Sequence, residues 1–284
     1  KADAVIICDT EMFAPELPTI CIGLRGIVYG EIHVRGAEQD LHSGTYGGAA
    51  PNAIQAAAEI VCALKDRDGH IHIPGFYDRV QKPSAEELAA WKRLPFNEQN
   101  FLQNEMRAKE FTGESECSVF ERISARPTFE VHGIRGGFTG EGAKTVIPAR
   151  AVAKISLRPV TDQRPDEVAE QVKAAVAKVC PRGATAEFKL IHAAYPSLVN
   201  PNNVFIQKAA EAMTKIFGNE TVFTRGGGSI PIVSVFDQYL HIPSVMMGFG
   251  LPDDNLHAPN EKLYLPNFFR GIEAVKLYLR MLGQ

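Results

Sequence analysis

Apolar residues are spaced along this chain in two styles. Near both ends they come in short runs, 4–8 (Ala-Val-Ile-Ile-Cys), 232–235 (Ile-Val-Ser-Val) and 245–247, which predict strands buried on both faces. Between them apolar and polar positions alternate. Residues 26–35 read Gly-Ile-Val-Tyr-Gly-Glu-Ile-His-Val-Arg, and 151–158 set Val152, Ile155 and Leu157 against Lys154, Ser156 and Arg158. That period suits a sheet with one wet face. Helical spacing predicts helices over 51–64, with Pro51 in the first turn, and from Ser84, whose Ser-Ala-Glu-Glu has capping-box spacing, through Trp91. Further helices are predicted over 98–109, 165–179, 202–217 and 266–282, and a strand over 184–191. The alternating middle flanked by buried-strand ends predicts an insertion. One α/β domain occupies 1–22 and 197–284, and an α+β lid domain occupies 23–196.

Composition narrows the classes. Of the 284 residues, 45% are hydrophobic and 22% charged, which excludes extended disorder and coiled coil. Thirty basic against thirty-three acidic side chains, with no basic block, give a nucleic-acid partner no electrostatic support. No apolar run approaches the roughly 20 residues that cross a bilayer, so no membrane partner is expected. The five cysteines, Cys8, Cys21, Cys62, Cys117 and Cys180, are odd in number and form no Cys-x-x-Cys pair. Reduced thiols in a cytoplasmic protein are the simplest account. The chain opens on a strand-like segment without Met, and reads as cut.

Several residues stand where chemistry could be done. Asp9 closes an apolar strand, and carboxyl ends of strands line the ligand crevice of parallel sheets; a turn cap uses the same side chain. His257 sits among turn-forming residues just before a long helix, with Asp253, Asp254 and Glu261 near it, a setting for a metal ligand or a surface histidine. His42 lies on a Gly-rich loop and could steady a developing oxyanion; no Gly-x-Ser-x-Gly elbow supports a serine hydrolase. The run Arg225-Gly-Gly-Gly-Ser229 lacks the Walker lysine. Arg158, ending an alternating strand on its polar face, could grip a carboxylate.

Taken in order, Val5-Ile-Ile-Cys-Asp9-Thr, Leu41-His42-Ser-Gly-Thr-Tyr-Gly-Gly48, Thr145-Val-Ile-Pro148, Ile155-Ser-Leu-Arg158, Gly227-Gly-Ser229-Ile-Pro and Asn255-Leu-His257-Ala-Pro-Asn-Glu261 resemble the carnosinase-type di-zinc dipeptidases. Aminoacylase, glutamate carboxypeptidase and succinyl-diaminopimelate desuccinylase are more distant relatives. His42 follows Asp9 by 33 residues and His257 follows Ser229 by 28, as expected for that branch.

The resemblance implies an α/β, zinc-peptidase-type catalytic domain, present in part, with the inserted α+β lid as dimerisation domain. It implies two divalent metal ions, zinc or manganese, with Asp9 and His257 as one terminal ligand each. His42 would reach the neighbouring subunit of a homodimer and steady the tetrahedral oxyanion. Thr145 and Arg158 would bind the substrate's carboxylate region, and Ser229 and His257 would contact substrate. The activity implied is hydrolysis of dipeptides or short peptides. The alternatives are an N-acyl or N-succinyl amino acid amidohydrolase and, from another class, a non-catalytic dimerisation or binding module. The family's upstream His, bridging Asp and Glu-Glu elements are not among the eight residues before Asp9, so the chain is expected to be a C-terminal portion, inactive alone.

Overall fold

Two sheets built on different principles share the chain. The computed structural model describes residues 2–283. The first elements are β1 (Val5–Ile7), β2 (Thr19–Leu24), β3 (Ile27–Arg35) and β4 (Leu41–His42), then α1 (Ser43–Tyr46), α2 (Ala53–Leu64), α3 (Ala85–Trp91), α4 (Glu98–Asn100) and α5 (Val119–Ser124). Next come β5 (Thr128–Gly136), β6 (Val146–Ile147), β7 (Arg150–Arg158), α6 (Pro165–Val179), β8 (Thr185–Ala194) and β9 (Ser197–Leu198). The chain closes with α7 (Val204–Phe217), β10 (Val222–Gly226), α8 (Pro231–Val235), β11 (Ser244–Met247) and α9 (Leu265–Leu282).

The first sheet runs β1-β11-β2-β10, with β9 beside β2. Strand β1 is parallel to β11 and β10 to β2, while β11 and β2 are antiparallel. Every residue of β2 is buried, which is why its sequence, Thr-Ile-Cys-Ile-Gly-Leu, carries no alternation. Ile20, Ile22, Val245 and Met247 pack against Ile206, Ala209 and Met213 of α7 and Ala274 and Tyr278 of α9. Helix α9 leaves Leu265, Phe269, Ile272 and Leu279 exposed, and β1 stands at the sheet edge.

The second sheet, β5-β7-β3-β8, is antiparallel throughout. Alternate residues of β3 are buried, so Val28 and Ile32 join Ile155, Leu157, Ile60 of α2 and Val172 of α6 in one core. The opposite face is polar: Tyr29 stacks between His132 and His192, each ring pair 5.5 Å apart, and Glu31 meets His33 at 2.9 Å.

The excursion carrying α3 and α5 packs onto the first sheet. Trp91, Phe96 and Phe120 form edge and tilted ring contacts that include Phe13 of the β1–β2 loop. Glu87 completes the Ser84 capping box and also takes a bidentate pair from Arg225 of β10, at 2.9 and 2.8 Å. Further along, Glu114, 5% exposed, accepts two bonds from Arg126 and one from the Tyr77 hydroxyl.

Two expected elements differ. Residues 232–235 form helix α8, not a strand: the four residues Ile-Val-Ser-Val are too few to show a period, and Pro231 at the first turn pre-sets the helical φ. The helix expected over 98–109 shortens to α4 and a wider-turn stretch, Phe101–Met106, ending where Arg107 turns left-handed at φ 53°. Among the described residues no helix is long and apolar enough to cross a membrane, and all five cysteines are free.

Burial pushes the Glu114 carboxyl up, but the hydrogen bonds and charge of Arg126 outweigh it and hold the group below the ordinary glutamate value. A depressed carboxylate contributes stability that is present above its unfolded value of about 4.3 and is lost as pH falls through the folded one. Arg126→Met, which leaves that carboxylate unpaired, is expected to cost about 3 kcal/mol near neutral pH. Urea denaturation against pH checks this: the difference from wild type should shrink below about pH 4.

Candidate active site

The six residues singled out from the sequence fall into three groups. The first lies where β1 and β11 end. The loop after β1 runs beside the one after β11, with Phe249 N–H donating to Thr10 O at 3.1 Å and Met12 N–H to Gly250 O at 2.8 Å. Asp9 stands exposed at this edge. The following turn is pinned by Asp254, 2% exposed, whose Oδ2 accepts from Leu251 N–H at 2.7 Å and whose carbonyl accepts from Lys262 N–H at 2.9 Å. His257 is exposed on that turn with left-handed backbone, φ 59°, flanked by Asn255 and Asn260 in the same region. A histidine rarely takes that backbone without an enforcing turn, and here Asp254 supplies it. Partial burial and the negative charges of Asp254 and Glu105 push the Glu11 carboxyl up, so this edge is acidic.

The second group sits at the crossing between the two sheets. Arg158, the last residue of β7, donates from Nη1 to Ser229 Oγ at 2.9 Å. Ser229 Oγ donates in turn to Arg25 O at 2.6 Å, with Gly26 O at 3.0 Å. Gly26 N–H closes onto Pro159 O at 2.8 Å. Burial draws the Arg158 guanidinium below its ordinary value, and no carboxylate is hydrogen-bonded to it among the described residues. Gly227, two residues before Ser229, has to be glycine for a packing reason: a Cβ there would stand 2.3 Å from Ile123 O and 2.7 Å from an Arg25 nitrogen.

The third group lies at the other end of the second sheet. Strand β4 pairs with β6, His42 opposite Val146, and Ser43 N–H donates to Thr145 O at 3.1 Å. His42 Nδ1 accepts from Gly44 N–H at 3.1 Å, so in the neutral ring Nε2 carries the proton. Both His42 and Thr145 are exposed.

The structure therefore joins Arg158 to Ser229 and His42 to Thr145, and it brings the Asp9 and His257 loops to one edge. Among the described residues no hydrogen bond or ion pair connects one group to another. An open cleft of about 600 Å³ along the His257 loop, between Pro15, Asp253, Lys262 and Pro266, contains none of the six.

Asp9 and His257 are a carboxylate and an imidazole, donors that suit zinc or manganese, and the partnerless buried Asp254 Oδ1 keeps their edge electronegative. They are two donors only. Among the described residues no three His, Cys, Asp or Glu side chains come together to hold a metal ion. A closed or catalytic zinc site uses three or four protein ligands, so this chain does not complete one.

Sequence reasoning passed over Arg25. Its flanking Gly23 and Gly26 were the available signal, because glycines on both sides of an arginine at a strand end mark close backbone approach. It also read Arg225 as part of a glycine-rich loop, whereas the side chain is committed to Glu87 and lies over the Trp91 ring.

A family model described as a peptidase dimerisation domain matches residues 22–184, more than half of the chain. The chain is similar to the Cys-Gly metallodipeptidase dug1 of Schizosaccharomyces pombe, at 32% identity over 100% of this chain and 60% of that protein. It is similar to the human beta-Ala-His dipeptidase at 28% identity, over 99% of this chain and 56% of that one. Among solved structures, the M20 family metallo-carboxypeptidase Sso-CP2 from Sulfolobus solfataricus superposes with a TM-score of 0.85 at 29% identity, covering 98% of this chain and 63% of that one. The chain thus spans a little under two thirds of the length of the proteins it matches. With its α/β sheet interrupted by the matched dimerisation unit, the chain belongs to the M20 metallopeptidase family.

Proposed function

We propose that the whole protein is a metal-dependent dipeptidase that works as a homodimer, and that this chain supplies its carboxylate grip, an imidazole acting in trans and two metal ligands. The observation that carries the reading is Arg158: a guanidinium held by Ser229 across the crossing of the two sheets, with no carboxylate of its own chain bonded to it. Such a fork suits the terminal carboxylate of a short peptide. The similarity to two dipeptidases supports the same substrate class.

A distance argument supports the dimer. Nine residues of β7 separate Arg158 from the end near His42 and Thr145, about 25 Å at strand rise. A dipeptide spans at most about 7 Å. One lid is therefore too long to offer both groups to one substrate, and a two-fold partner would offer its own His42 and Thr145 instead. The exposed Nε2–H of His42 would donate to the oxygen where negative charge develops. Thr145 would meet the substrate beside it, and Ser229 would keep Arg158 aimed. Closure about the crossing would bring the groups together.

Asp9 and His257 would each hold one of two divalent ions, zinc or manganese, with the remaining ligands supplied from outside this chain. The chemistry supplied there is activation of water and polarisation of the scissile carbonyl.

Hydrolysis by the full-length protein, loaded with zinc or manganese, separates the candidate substrates. Dipeptides should be cleaved in preference to N-acyl amino acids, and the reverse preference would replace the reading with an amidohydrolase. His42→Ala should lower kcat about 10²–10³-fold with metal content retained. Mixing His42→Ala with Asp9→Ala subunits, followed by exchange, should restore about a quarter of wild-type activity, because half of the random dimers carry one intact site. Activity no greater than the sum of the two variants alone would reject the trans role.

A further inference from the structure

Arg25 stands between β2 and β3, where the chain leaves the first sheet for the second. Its Nε donates to Gly227 O at 2.7 Å, and its Nη1 reaches Arg126 O at 3.2 Å and Arg122 O at 3.5 Å. Its backbone is engaged as well: Arg25 N–H donates to Gly228 O at 3.1 Å, and Arg25 O accepts the Ser229 hydroxyl at 2.6 Å. One residue thus holds Gly227, Gly228 and Ser229 in succession and ties them to α5 and the turn that follows it. Ser229 then carries Arg158.

All these guanidinium acceptors are neutral carbonyls. Burial, then the adjacent Arg158 charge, pulls Arg25 down to about 10, still charged at neutral pH. Glu130, whose charge partly offsets this, is hydrogen-bonded to Lys65 Nζ at 3.1 Å. Two neighbouring guanidiniums, neither hydrogen-bonded to a carboxylate, create a positive potential in a half-buried place, where it is weakly screened. Were Arg25 only a structural brace, an apolar or neutral residue reaching the same loops would avoid that repulsion.

We propose that Arg25 is a positioning residue for carboxylate recognition: it fixes the Gly227–Ser229 segment so that Ser229 aims Arg158, and it adds a second positive charge behind the site, so that ligands with a free terminal carboxylate are preferred over neutral ones. The proposal deepens the dipeptidase reading and rests on it.

The test compares wild type, Arg25→Met and Arg25→Lys in the full-length, metal-loaded protein. For each, KM and kcat are measured for a dipeptide, and Ki for its C-terminal amide as a competing ligand. In Arg25→Met, KM for the free acid should rise about tenfold while Ki for the amide changes less than about threefold and kcat falls by no more than about threefold. Arg25→Lys keeps the charge but not the three-carbonyl fork, and its preference for the free acid should fall between wild type and Arg25→Met. Equal weakening of acid and amide, or no change in either, overturns the role. Should Arg25→Met lose its cooperative thermal transition, Arg25→Lys decides alone, and an acid-to-amide ratio equal to wild type overturns it. A wild type that cleaves no dipeptide overturns the dipeptidase reading and this role with it; an active wild type with an unchanged ratio overturns this role alone.

Discussion

The hydroxyl of Ser229 donates to the main chain at Arg25 and accepts from the side chain of Arg158, and through these two bonds the pair of sheets is held at one point. The crossing has little room for adjustment. Gly26 and Gly227 meet neighbouring main chain so closely that a Cβ at either would lie within 2.6 Å of a carbonyl oxygen. The bonds made here, from Arg25 Nε and Nη1, from Arg158 Nη1 and from the Ser229 hydroxyl, all end on neutral oxygens. Neither guanidinium at the crossing is hydrogen-bonded to a carboxylate among the described residues.

The second sheet behaves as a rigid spacer. Its helices α2 and α6 cover one face with a continuous apolar core, so β3 and β7 are held at full length and cannot fold to shorten the path between their ends. That stiffness keeps Arg158 and His42 about a strand length apart. The first sheet is less closed. Its edge strand β1 and the exposed side of α9, with Phe269 and Leu279, present apolar surface of the kind that marks contact with other polypeptide.

The excursion with α3 and α5 shows how one side chain can serve two elements. Glu87 caps its own helix and holds Arg225 on β10, and the Trp91, Phe96 and Phe120 rings bury the same seam. The segment inserted beside the lid is thereby attached to the strand β10 that leads to Ser229, and it delivers to Arg25 the carbonyls of Arg122, within α5, and Arg126, just after it.

Local rules determined a good part of this protein. The apolar run at 4–8, the alternation at 26–35 and 151–158, the helical spacing of 165–179 and the Ser84 capping box each depend on neighbours within a few residues, so strands β1, β3 and β7 and helices α2, α3 and α6 were legible in the sequence. The burial expected for the run 4–8 was not, because β1 lies at the sheet edge, half-buried, with Cys8 exposed. The short motifs around Asp9, His42, Thr145, Arg158, Ser229 and His257 carried the family resemblance, since each is a run of consecutive residues. Tertiary structure decided the rest. The run 232–235 became a helix because Pro231 and the packing of Val233 outweighed its strand-like composition. Arg25 acquired its role from carbonyls roughly 100 and 200 positions away, and Arg225 its partner from 138. Pattern along a chain records which face of an element is wet; it does not record which distant backbone will close on a given side chain, because that is settled only when the sheets pack.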